Sequence, residues 1–507
     1  MSPDPRTPVI VGVGQLRSNR GRTVEGAREP LALIRDALHE AAAAALLSAA
    51  DAVYAVSIAS WAYDELASQV AASVGASPRT LEDTGLGGHL PVRLLELAAA
   101  RIWAGESSIA LLVGGEAQAS VAVLGKAGVD PVAQLGWSAQ PGGQPVFDLD
   151  QLGSPAMQAA GLLAPTRVYP LYENRLQADL GLTPEQSSEE SRRLYAALSA
   201  VAAPHPAAWS TEPLTPEQVG TVTPANRMVC EPYPLSMNAM PMVDQAAAVV
   251  VTSLGTAREH GIADGDLVFV WGGAGADGPA DVLARPDLGR VPAIGLALDR
   301  CLDAAGVTQS EVDLIDVYSC FPVVPKLVAQ HLGLPRDAPL SVTGGHSSFG
   351  GPLNSYSLHA LATMTSRLRG GNGTGLVHGN GGYLTYQHAV LLSGLPHAAG
   401  YVGEPTPQVL SREEQVTVLT PASAGGACSV VVETATVEHD RSGAPSQAFV
   451  VGRTDDGARV ATATPYGDAD AARVLSFAAL PAGATTHVGR RVRLDAQEDG
   501  TARVSAV

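Results

Sequence analysis

The chain has 507 residues, of which 46% are apolar, and its formal net charge is −18. This length exceeds what one hydrophobic core supports, so two or three domains are expected. The strong negative charge argues against binding to nucleic acid or to an anionic membrane surface. It leaves open an anionic small molecule, which a local glycine-rich loop or an arginine can hold.

The N-terminal segment and the cysteines indicate the compartment. Residues 1–7 are polar and lead straight into an apolar strand, without the basic region and long apolar core of a signal peptide. No run of 18 apolar residues is free of polar or glycine interruptions, so we expect no membrane span. The four cysteines are scattered and form no CxxC pair, which is typical of reduced thiols, and we expect a cytoplasmic protein.

The first 120 residues alternate strand and helix patterns. Continuously apolar strands joined by helices predict a parallel or mostly parallel sheet that is covered on both faces. We expect strands near residues 9–13, 52–59 and 108–113, and helices near 30–49, 64–74 and 90–104.

The remaining chain divides into an insertion, a second half and a tail. Residues 121–240 are rich in proline and glycine and read as a long insertion, which in a compact fold usually covers or forms a site. After a buried strand at 244–252, the strand–helix series repeats, which indicates an internal duplication. Beyond residue 404, short alternating strands without a helix pattern predict a small all-β domain.

The most informative stretch covers residues 342–356 and reads Val-Thr-Gly-Gly-His-Ser-Ser-Phe-Gly-Gly-Pro-Leu-Asn-Ser-Tyr. It lies between a predicted short strand at 339–342 and a predicted helix at 356–368. So much glycine costs conformational entropy and is useful only where the backbone turns sharply or approaches something closely. A helix N-terminus after such a loop presents backbone N–H groups to a cleft. We therefore interpret the segment as part of a functional site rather than an ordinary surface turn.

The order of motifs along the chain resembles the thiolase superfamily. Residues 102–116, which end in Gly-Gly-Glu, are similar to the segment after the thiolase nucleophile. Residues 318–321, Tyr-Ser-Cys-Phe, resemble the His-Asp-Cys-Phe motif of sterol-carrier-type thiolases. Residues 350–352 stand where thiolases have Gly-His-Pro, and residues 378–382 where they have Cys-x-Gly. The β-rich tail resembles that of thiolase-like type 1 proteins, which carry an additional C-terminal domain.

This resemblance implies an α/β fold with a thiolase-like duplicated βαβαβ five-layer core, a loop-domain insertion and a small all-β, OB-like (oligonucleotide-binding-like) C-terminal domain. It also implies acetyl-CoA acetyltransferase-like acyl transfer, with a CoA thioester as substrate and no bound cofactor. The implied parts are an N-terminal half at 1–120 and 241–260, the insertion at 121–240, a C-terminal half at 261–404 and a β-barrel-like domain at 405–507.

The dimerisation strand of thiolases corresponds to residues 80–83, which are short and acidic here. Thiolases pair their subunits through this strand, and such a strand does not favour a tight dimer. The resemblance therefore implies a monomer or a homodimer.

The sequence departs from the family where a thiolase carries its nucleophile. That position corresponds to Gly88, and no cysteine precedes Cys230. Gly351 replaces the Gly-His-Pro histidine, which removes half of one oxyanion site. His378 stands at the acid/base of the Cys-x-Gly motif. The acyl-enzyme mechanism of the family therefore cannot be carried over.

The candidate catalytic residues are Cys320, His378, His346 and His89. Cys320 closes an apolar strand before a predicted helix at 321–332, whose N-terminus would lower the thiol pKa; the alternative is a buried, inert cysteine. Neutral imidazoles suit proton transfer or oxyanion donation. Since all four residues lie in or beside loops that follow strands, we expect them to line one cleft beneath the insertion.

The glycine-rich segments also supply candidate substrate-binding residues: Gly350, Gly351, Asn354 and Gly381. The Asn354 side chain has a simpler alternative role as a cap of the following helix. No pair of histidines or cysteines has the close spacing of metal ligands, so no metal site is expected.

Three functions remain open at this point. The first is a thiolase-type acyltransferase that uses Cys320, and the second a catalytically inactive acyl-CoA or acyl-chain binding protein or pseudo-thiolase subunit. The third is another enzyme class, such as a thioester hydrolase or a carbon–carbon lyase that works by acid/base chemistry alone. The missing nucleophile at Gly88 favours the last two, whereas the histidines and Cys320 favour the first and third.

Overall fold

The computed structural model describes residues 3–141, 153–410 and 416–506. Parts of the predicted insertion (142–152) and of the predicted tail domain (411–415 and 507) lie outside these residues. Helices and strands alternate through most of the described chain, as the sequence predicts.

The strands are β1 Pro8–Arg17, β2 Ala52–Ala55, β3 Thr80–Asp83, β4 Ile109–Ala117, β5 Met228–Cys230, β6 Tyr233–Pro234, β7 Asp244–Ser253, β8 Val268–Asp277, β9 Leu314–Val317, β10 Thr374–Gly381, β11 Tyr386–Ser393, β12 Glu404–Val409, β13 Val418–Leu419, β14 Ala427–His439, β15 Pro445–Arg453, β16 Arg459–Ala463, β17 Arg491–Ala496 and β18 Ala502–Ala506. The helices are α1 Pro30–Ala41, α2 Ala44–Ser48, α3 Leu66–Ser73, α4 Leu90–Trp103, α5 Gln118–Ala127, α6 Pro131–Leu135, α7 Pro155–Ala159, α8 Pro165–Asp179, α9 Pro184–Ala202, α10 Pro216–Gly220, α11 Leu254–Glu259, α12 Pro292–Ala305, α13 Val323–His331, α14 Tyr356–Leu368 and α15 Ala469–Arg473.

The main sheet has ten strands and joins two halves of similar topology. Its order is β3-β2-β4-β7-β1-β8-β11-β10-β9, with β12 beside β8. The halves meet where Val9 and Ile10 of β1 pair with Phe269 and Val268 of β8. Helices α1 and α3 cover the first half from outside, α12 and α13 cover the second, and α4 and α14 pack between the halves. The two halves of the main sheet therefore count as two layers, and the order through the core is helix, half-sheet, helix, half-sheet, helix.

The two central helices explain why the sequence patterns are so apolar. Nearly every side chain of α14 is buried, and α4 buries a face that includes Val92, Leu95 and Ala99. A helix that is covered on nearly all sides has little room for charged side chains, and in α14 only Arg367 of the last turn is exposed and basic. Both helices begin after glycine-rich loops, so their N-termini bring residues 87–89 and 344–355 into the interior of the molecule.

The segment at residues 339–342 does not form the predicted strand. It makes one backbone hydrogen bond to β9, from the Val317 N–H to the Leu340 carbonyl (2.8 Å). The N–H groups of Val342 and of the following Thr343 donate to the Asp316 carboxylate and not to a neighbouring strand (2.9 and 3.0 Å). Because the side chain takes these donors, no ladder forms.

The tail forms a second sheet that also includes strands of the insertion. Its order is β13-β16-β15-β14-β17-β18, with β5 paired to β14 and β6 paired to β5. The predicted domain start at 405 falls inside β12, which pairs with β8 of the main sheet. The prediction of a tail without helix is wrong at α15, whose first turn Asp468 caps by accepting the Ala471 N–H (3.0 Å). Among the described helices, none is both long and apolar enough to cross a membrane.

Candidate active site

Tyr318 occupies the space that a side chain at position 88 would need. Gly88 lies in the loop before α4, and a Cβ atom there would stand 2.1 Å from the Tyr318 hydroxyl oxygen. Tyr318 follows β9, and its N–H extends the pairing with β10 by donating to the His378 carbonyl (3.2 Å). Burial raises the pKa of Tyr318 well above its usual value, so its hydroxyl is a neutral donor. The structure therefore has a phenol in the space beside Gly88, the position that the sequence resemblance equates with the thiolase nucleophile.

His346 lies against Tyr318 and presents a free N–H group. It sits in a π-helical turn, Gly345–Phe349, with its ring stacked on Tyr356 at 3.5 Å between centroids. Nδ1 accepts the backbone N–H of Ser319 (3.3 Å), so the hydrogen of the neutral ring is on Nε2. That buried Nε2 has no hydrogen-bond partner within the described ranges. Burial also holds the pKa of His346 well below its usual value, which keeps the ring a neutral donor.

Asp316 anchors the glycine-rich loop and was not among the residues selected from the sequence. Its Oδ2 accepts hydrogen bonds from the Ser341 hydroxyl (2.7 Å) and from two loop N–H groups. Burial raises the pKa of Asp316 to about 6, although these hydrogen bonds act to lower it. The signal in the sequence was an acidic residue in the middle of an apolar strand, because a buried carboxylate needs donors to satisfy it.

Gly350 and Gly351 pack against the protein itself, which corrects their prediction as substrate-binding residues. Gly350 has φ of 121°, and a Cβ atom on it would stand 2.2 Å from Oε1 of Gln245. The Gly351 N–H donates to the Met240 carbonyl (2.8 Å), so it is not free for a ligand. These glycines let the loop approach the start of β7 closely.

Asn354 joins two loops and neither caps α14 nor offers a free amide. Its Oδ1 accepts the Gly87 N–H (2.9 Å), and its Nδ2 donates to the Ser57 carbonyl (3.1 Å). Ser355, and not Asn354, precedes α14, and no side chain caps that helix. Asn354 of the second half thereby links the loop that contains Gly88 to the segment at Ser57.

Cys320 is a protonated thiol in this structure. Burial raises its pKa to about 12, although hydrogen bonding to Tyr169 and Asn380 acts in the opposite direction. Helix α13 begins at Val323, two residues later than predicted, so its N-terminus does not lower the pKa enough to offset burial. The expected lowering of the thiol pKa fails for two reasons that the sequence does not show, the later start of α13 and the burial of the thiol.

His378 lies on β10 and takes part in a buried hydrogen-bond network. Its Nε2 bonds to Oε1 of Gln387 (2.9 Å), whose Nε2 donates to Asn380 (2.8 Å). Asn380 in turn donates to the Tyr169 hydroxyl (2.9 Å), which lies beside Cys320. Burial lowers the pKa of His378 to about 4. The network thus links His378 to the surroundings of Cys320.

His89 lies on the other face of β10, which corrects the prediction of a single cleft. A Cβ atom on Gly381 would stand 2.1 Å from Nδ1 of His89, whose ring also stacks on Tyr386 (5.1 Å). Successive side chains of a strand point to opposite faces, so Gly381 faces away from His378. Gly381 therefore makes room for His89 and is not placed to bind substrate. Burial lowers the pKa of His89 to about 3.

The chemistry available is thus that of neutral donors and acceptors. The ring of Tyr318 lies against that of His346 (4.1 Å between centroids), and Nε2 of His346 has no hydrogen-bond partner among the described residues. His378 is bonded through its carbonyl to the N–H of Tyr318, and its Nδ1 is buried and also without a partner among the described residues. Within the same described residues, no three His, Cys, Asp or Glu side chains are grouped so that they could hold a metal ion.

Comparison with known proteins gives relatives for the tail and for the whole chain. Residues 405–493 match the family described as "Thiolase-like protein type 1 additional C-terminal domain". The whole chain is similar to a monomeric SCP2-thiolase-like protein type 1 (STLP1) from Mycobacterium smegmatis, with 27% identity and a TM-score of 0.79 over 99% of this chain and 100% of that one. An Ltp2–ChsH2(DUF35) aldolase shares the fold, with 19% identity and a TM-score of 0.58 over 77% of this chain and 98% of that one.

A curated relative extends the comparison to enzymes. The acetyl-CoA acetyltransferase of Methanothermobacter thermautotrophicus is 28% identical over 183 residues, which are 33% of this chain and 46% of the relative. The chain thus matches less than half the length of the curated relatives it resembles. The predicted α/β fold with a duplicated core and a C-terminal β domain is confirmed. The chain belongs to the thiolase superfamily, among the thiolase-like proteins of type 1 that carry an additional C-terminal domain.

Proposed function

We propose that this protein binds a CoA thioester beside Tyr318 and His346 and acts on it without forming an acyl-enzyme. One observation carries the proposal: the Tyr318 hydroxyl fills the space beside Gly88, where the resemblance to thiolases would put the nucleophile. A phenol whose pKa is raised is a poor nucleophile but a good hydrogen-bond donor. The site therefore suits stabilisation of charge on a thioester oxygen rather than attack on its carbon.

The reaction that these groups support is removal of a proton from the carbon next to the thioester carbonyl. The proton passes to a base, and the electron pair of the C–H bond forms an enolate whose charge lies on the thioester oxygen. Tyr318 and the Nε2–H of His346 are neutral donors for that oxygen. His378 is the free acceptor that can take the proton. Such an enolate serves condensation or cleavage of a carbon–carbon bond.

Acyl transfer through Cys320, the first function suggested by the sequence, is disfavoured. A thiol with a pKa of about 12 is a thiolate in roughly one molecule in 10⁵ at neutral pH. The thiolate and not the thiol is the nucleophile, so a cysteine with so high a pKa reacts slowly even though its side chain is partly exposed. The acetyl-CoA acetyltransferase relative supports CoA thioesters as the substrate class. The aldolase neighbour shows that this fold is not restricted to acyl transfer.

Three measurements with acetyl-CoA test the proposal. Equilibrium dialysis should show binding, and NMR in D₂O should show deuterium entering the acetyl methyl group in a protein-dependent manner. Mass spectrometry of the quenched protein should show no added acetyl group. An acetyl group on Cys320 would overturn the proposal in favour of thiolase-type transfer. Binding without exchange would leave the inactive binding protein, and absence of binding would exclude both.

A further inference from the structure

A chain of buried hydrogen bonds connects Tyr169 of α8 with His378 of β10. It starts at the Tyr169 hydroxyl, which donates to the carbonyl oxygen of Gly382 (2.8 Å). A carbonyl oxygen can only accept, so the hydrogen of the hydroxyl points away from Asn380. The remaining lone pairs of the hydroxyl oxygen accept from Nδ2 of Asn380 (2.9 Å). The orientation of the Asn380 amide is thereby fixed.

The next two hydrogen bonds determine which ring nitrogen of His378 carries the hydrogen. Oδ1 of Asn380 faces Nε2 of Gln387 (2.8 Å), which leaves Oε1 of Gln387 to face Nε2 of His378 (2.9 Å). An amide oxygen can only accept, so Nε2 of the imidazole must carry the hydrogen. All four side chains are at most 2% exposed, so water does not compete for these bonds.

The other ring nitrogen of His378 is consequently a free acceptor. In the neutral Nε2–H tautomer the lone pair is on Nδ1, which is buried and has no partner in the described part of the chain. Leaving a buried polar atom unpaired costs free energy, on the order of 1–3 kcal/mol. A substrate proton that binds there recovers this cost, as a general base requires.

We propose that Tyr169, Asn380 and Gln387 are positioning residues that hold His378 in the Nε2–H tautomer, so that Nδ1 is the base for the thioester. The proposal rests on the proposed function and assigns the base within it. The proton moves from the α-carbon to Nδ1, and the C–H electron pair becomes the enolate. The imidazolium then exchanges its Nδ1 proton with solvent and returns a solvent proton to the carbon. No oxidant, reductant or further reactant is needed.

The tautomer can be read directly in the free protein. With ¹⁵N-labelled histidine, long-range ¹H–¹⁵N NMR distinguishes protonated from unprotonated ring nitrogens, and the His378→Gln variant assigns the signals of His378. We expect Nε2 protonated and Nδ1 unprotonated in the natural protein. Tyr169→Phe removes the anchor, so the Asn380 and Gln387 amides can rotate and signals of both tautomers should appear. A His378 with the hydrogen on Nδ1 in the natural protein would overturn the proposal at once.

Tyr172 provides a matched control on the same helix. It is equally buried, and its hydroxyl bonds to the Tyr383 carbonyl (3.2 Å) and to Arg285 (2.6 Å), outside the network. Tyr172→Phe should leave the His378 signals unchanged. An unchanged tautomer in Tyr169→Phe, or an equal change in Tyr172→Phe, overturns the positioning role.

A second variant decides the case if Tyr169→Phe does not fold. In Gln387→Glu a carboxylate still accepts the Nε2–H and, because it is negative, raises the pKa of His378. The imidazolium signal should then appear at higher pH than in the natural protein, and an unchanged titration counts against the network. These spectra need no substrate. A correct tautomer together with absent deuterium exchange would therefore refute the proposed function and leave the tautomer assignment standing.

Discussion

The hydroxyl oxygen of Tyr318 lies 2.1 Å from the place that a Cβ atom on Gly88 would take, although the two residues belong to different halves of the core. Contacts this short do not occur between real atoms of these types, so the two residues are a matched pair. A glycine at 88 requires the tyrosine to fill the space, and a tyrosine at 318 requires the glycine. The absence of a nucleophile and the presence of the phenol are one structural feature.

The first prediction concerns this pair. Gly88→Cys should lower the free energy of unfolding by about 1–3 kcal/mol, because the new side chain overpacks the site. Tyr318→His provides the smaller ring of the family motif and makes room for that side chain. In a double-mutant cycle measured by urea unfolding, the double variant should therefore lose less stability than the sum of the single variants.

Gly85→Cys is the control for this cycle. Gly85 lies in the same loop, and a Cβ atom on it would meet nothing within 4 Å. Its change in stability should stay within about 0.5 kcal/mol. Strict additivity of Gly88→Cys and Tyr318→His would show that the two positions do not compete for space.

Local patterns were sufficient for much of the fold. The helix expected at 356–368 is α14, with the same bounds, and the helix expected at 90–104 ends one residue earlier. Each has apolar residues at helical spacing over several turns, which is the strongest signal in a single sequence. The order of such elements, together with the motifs, was enough to identify the duplicated core.

The site could not be predicted to the same extent, because its geometry depends on contacts between distant segments. The sequence indicated that a strand ends near His378, whereas β10 continues to Gly381. This extension places Gly381 and His89 on the opposite face from His378. The burial that keeps Cys320 protonated comes from surrounding elements, and α8 of the insertion brings Tyr169 beside it. No local pattern records these contacts.

The second prediction separates Tyr318 from Cys320. Tyr318→Phe removes one donor for the enolate oxygen and should slow deuterium exchange into acetyl-CoA on the order of 10²-fold, with little change in binding. Cys320→Ala should leave the exchange rate within about twofold, since the thiol takes no part in the step. NMR at saturating acetyl-CoA measures both rates. Loss of exchange in a folded Cys320→Ala variant would restore Cys320 as a catalytic residue.

The third prediction concerns Glu96, a carboxyl buried in the middle of α4. Burial raises its pKa to about 7, although the hydrogen bond from the Tyr401 hydroxyl acts in the other direction. A raised pKa in the folded state means that stability is greatest below the ordinary pKa and falls as pH rises to about 7. Between about pH 5.5 and pH 8, this group alone should cost about 2 kcal/mol.

The Glu96→Gln variant cannot ionise at residue 96, so its free energy of unfolding should not show this decrease between the two pH values. Urea unfolding at both pH values measures it, and the difference from the natural protein isolates Glu96 from other titrating groups. Glu106→Gln, an exposed residue just beyond the same helix, is the control and should follow the natural protein. Equal pH dependence in Glu96→Gln and the natural protein would mean that Glu96 does not titrate in this range.

The fourth prediction concerns the attachment of the insertion to the second half of the core. Lys326 of α13 donates to the Glu173 carboxylate of α8 (2.5 Å), and their side chains are 12% and 1% exposed. The hydroxyls of Ser187 and Tyr233 donate to the same carboxylate (2.8 and 2.7 Å). Removing the ammonium group leaves a buried charge with only neutral donors. Lys326→Met should therefore lower the free energy of unfolding by about 3–5 kcal/mol.

Neutralising the partner tests whether unpaired charge is the cause of that loss. In the double variant Lys326→Met with Glu173→Gln no charge is left buried, so urea unfolding should show that much of the stability returns. Arg175 and Asp179 form a more exposed pair on α8, and Arg175→Met should cost less than about 1 kcal/mol. If the double variant is no more stable than Lys326→Met, the loss comes from packing of the lysine side chain and not from its charge. In that case the ion pair does not explain how α8 of the insertion, which contains Tyr169, is held beside Cys320.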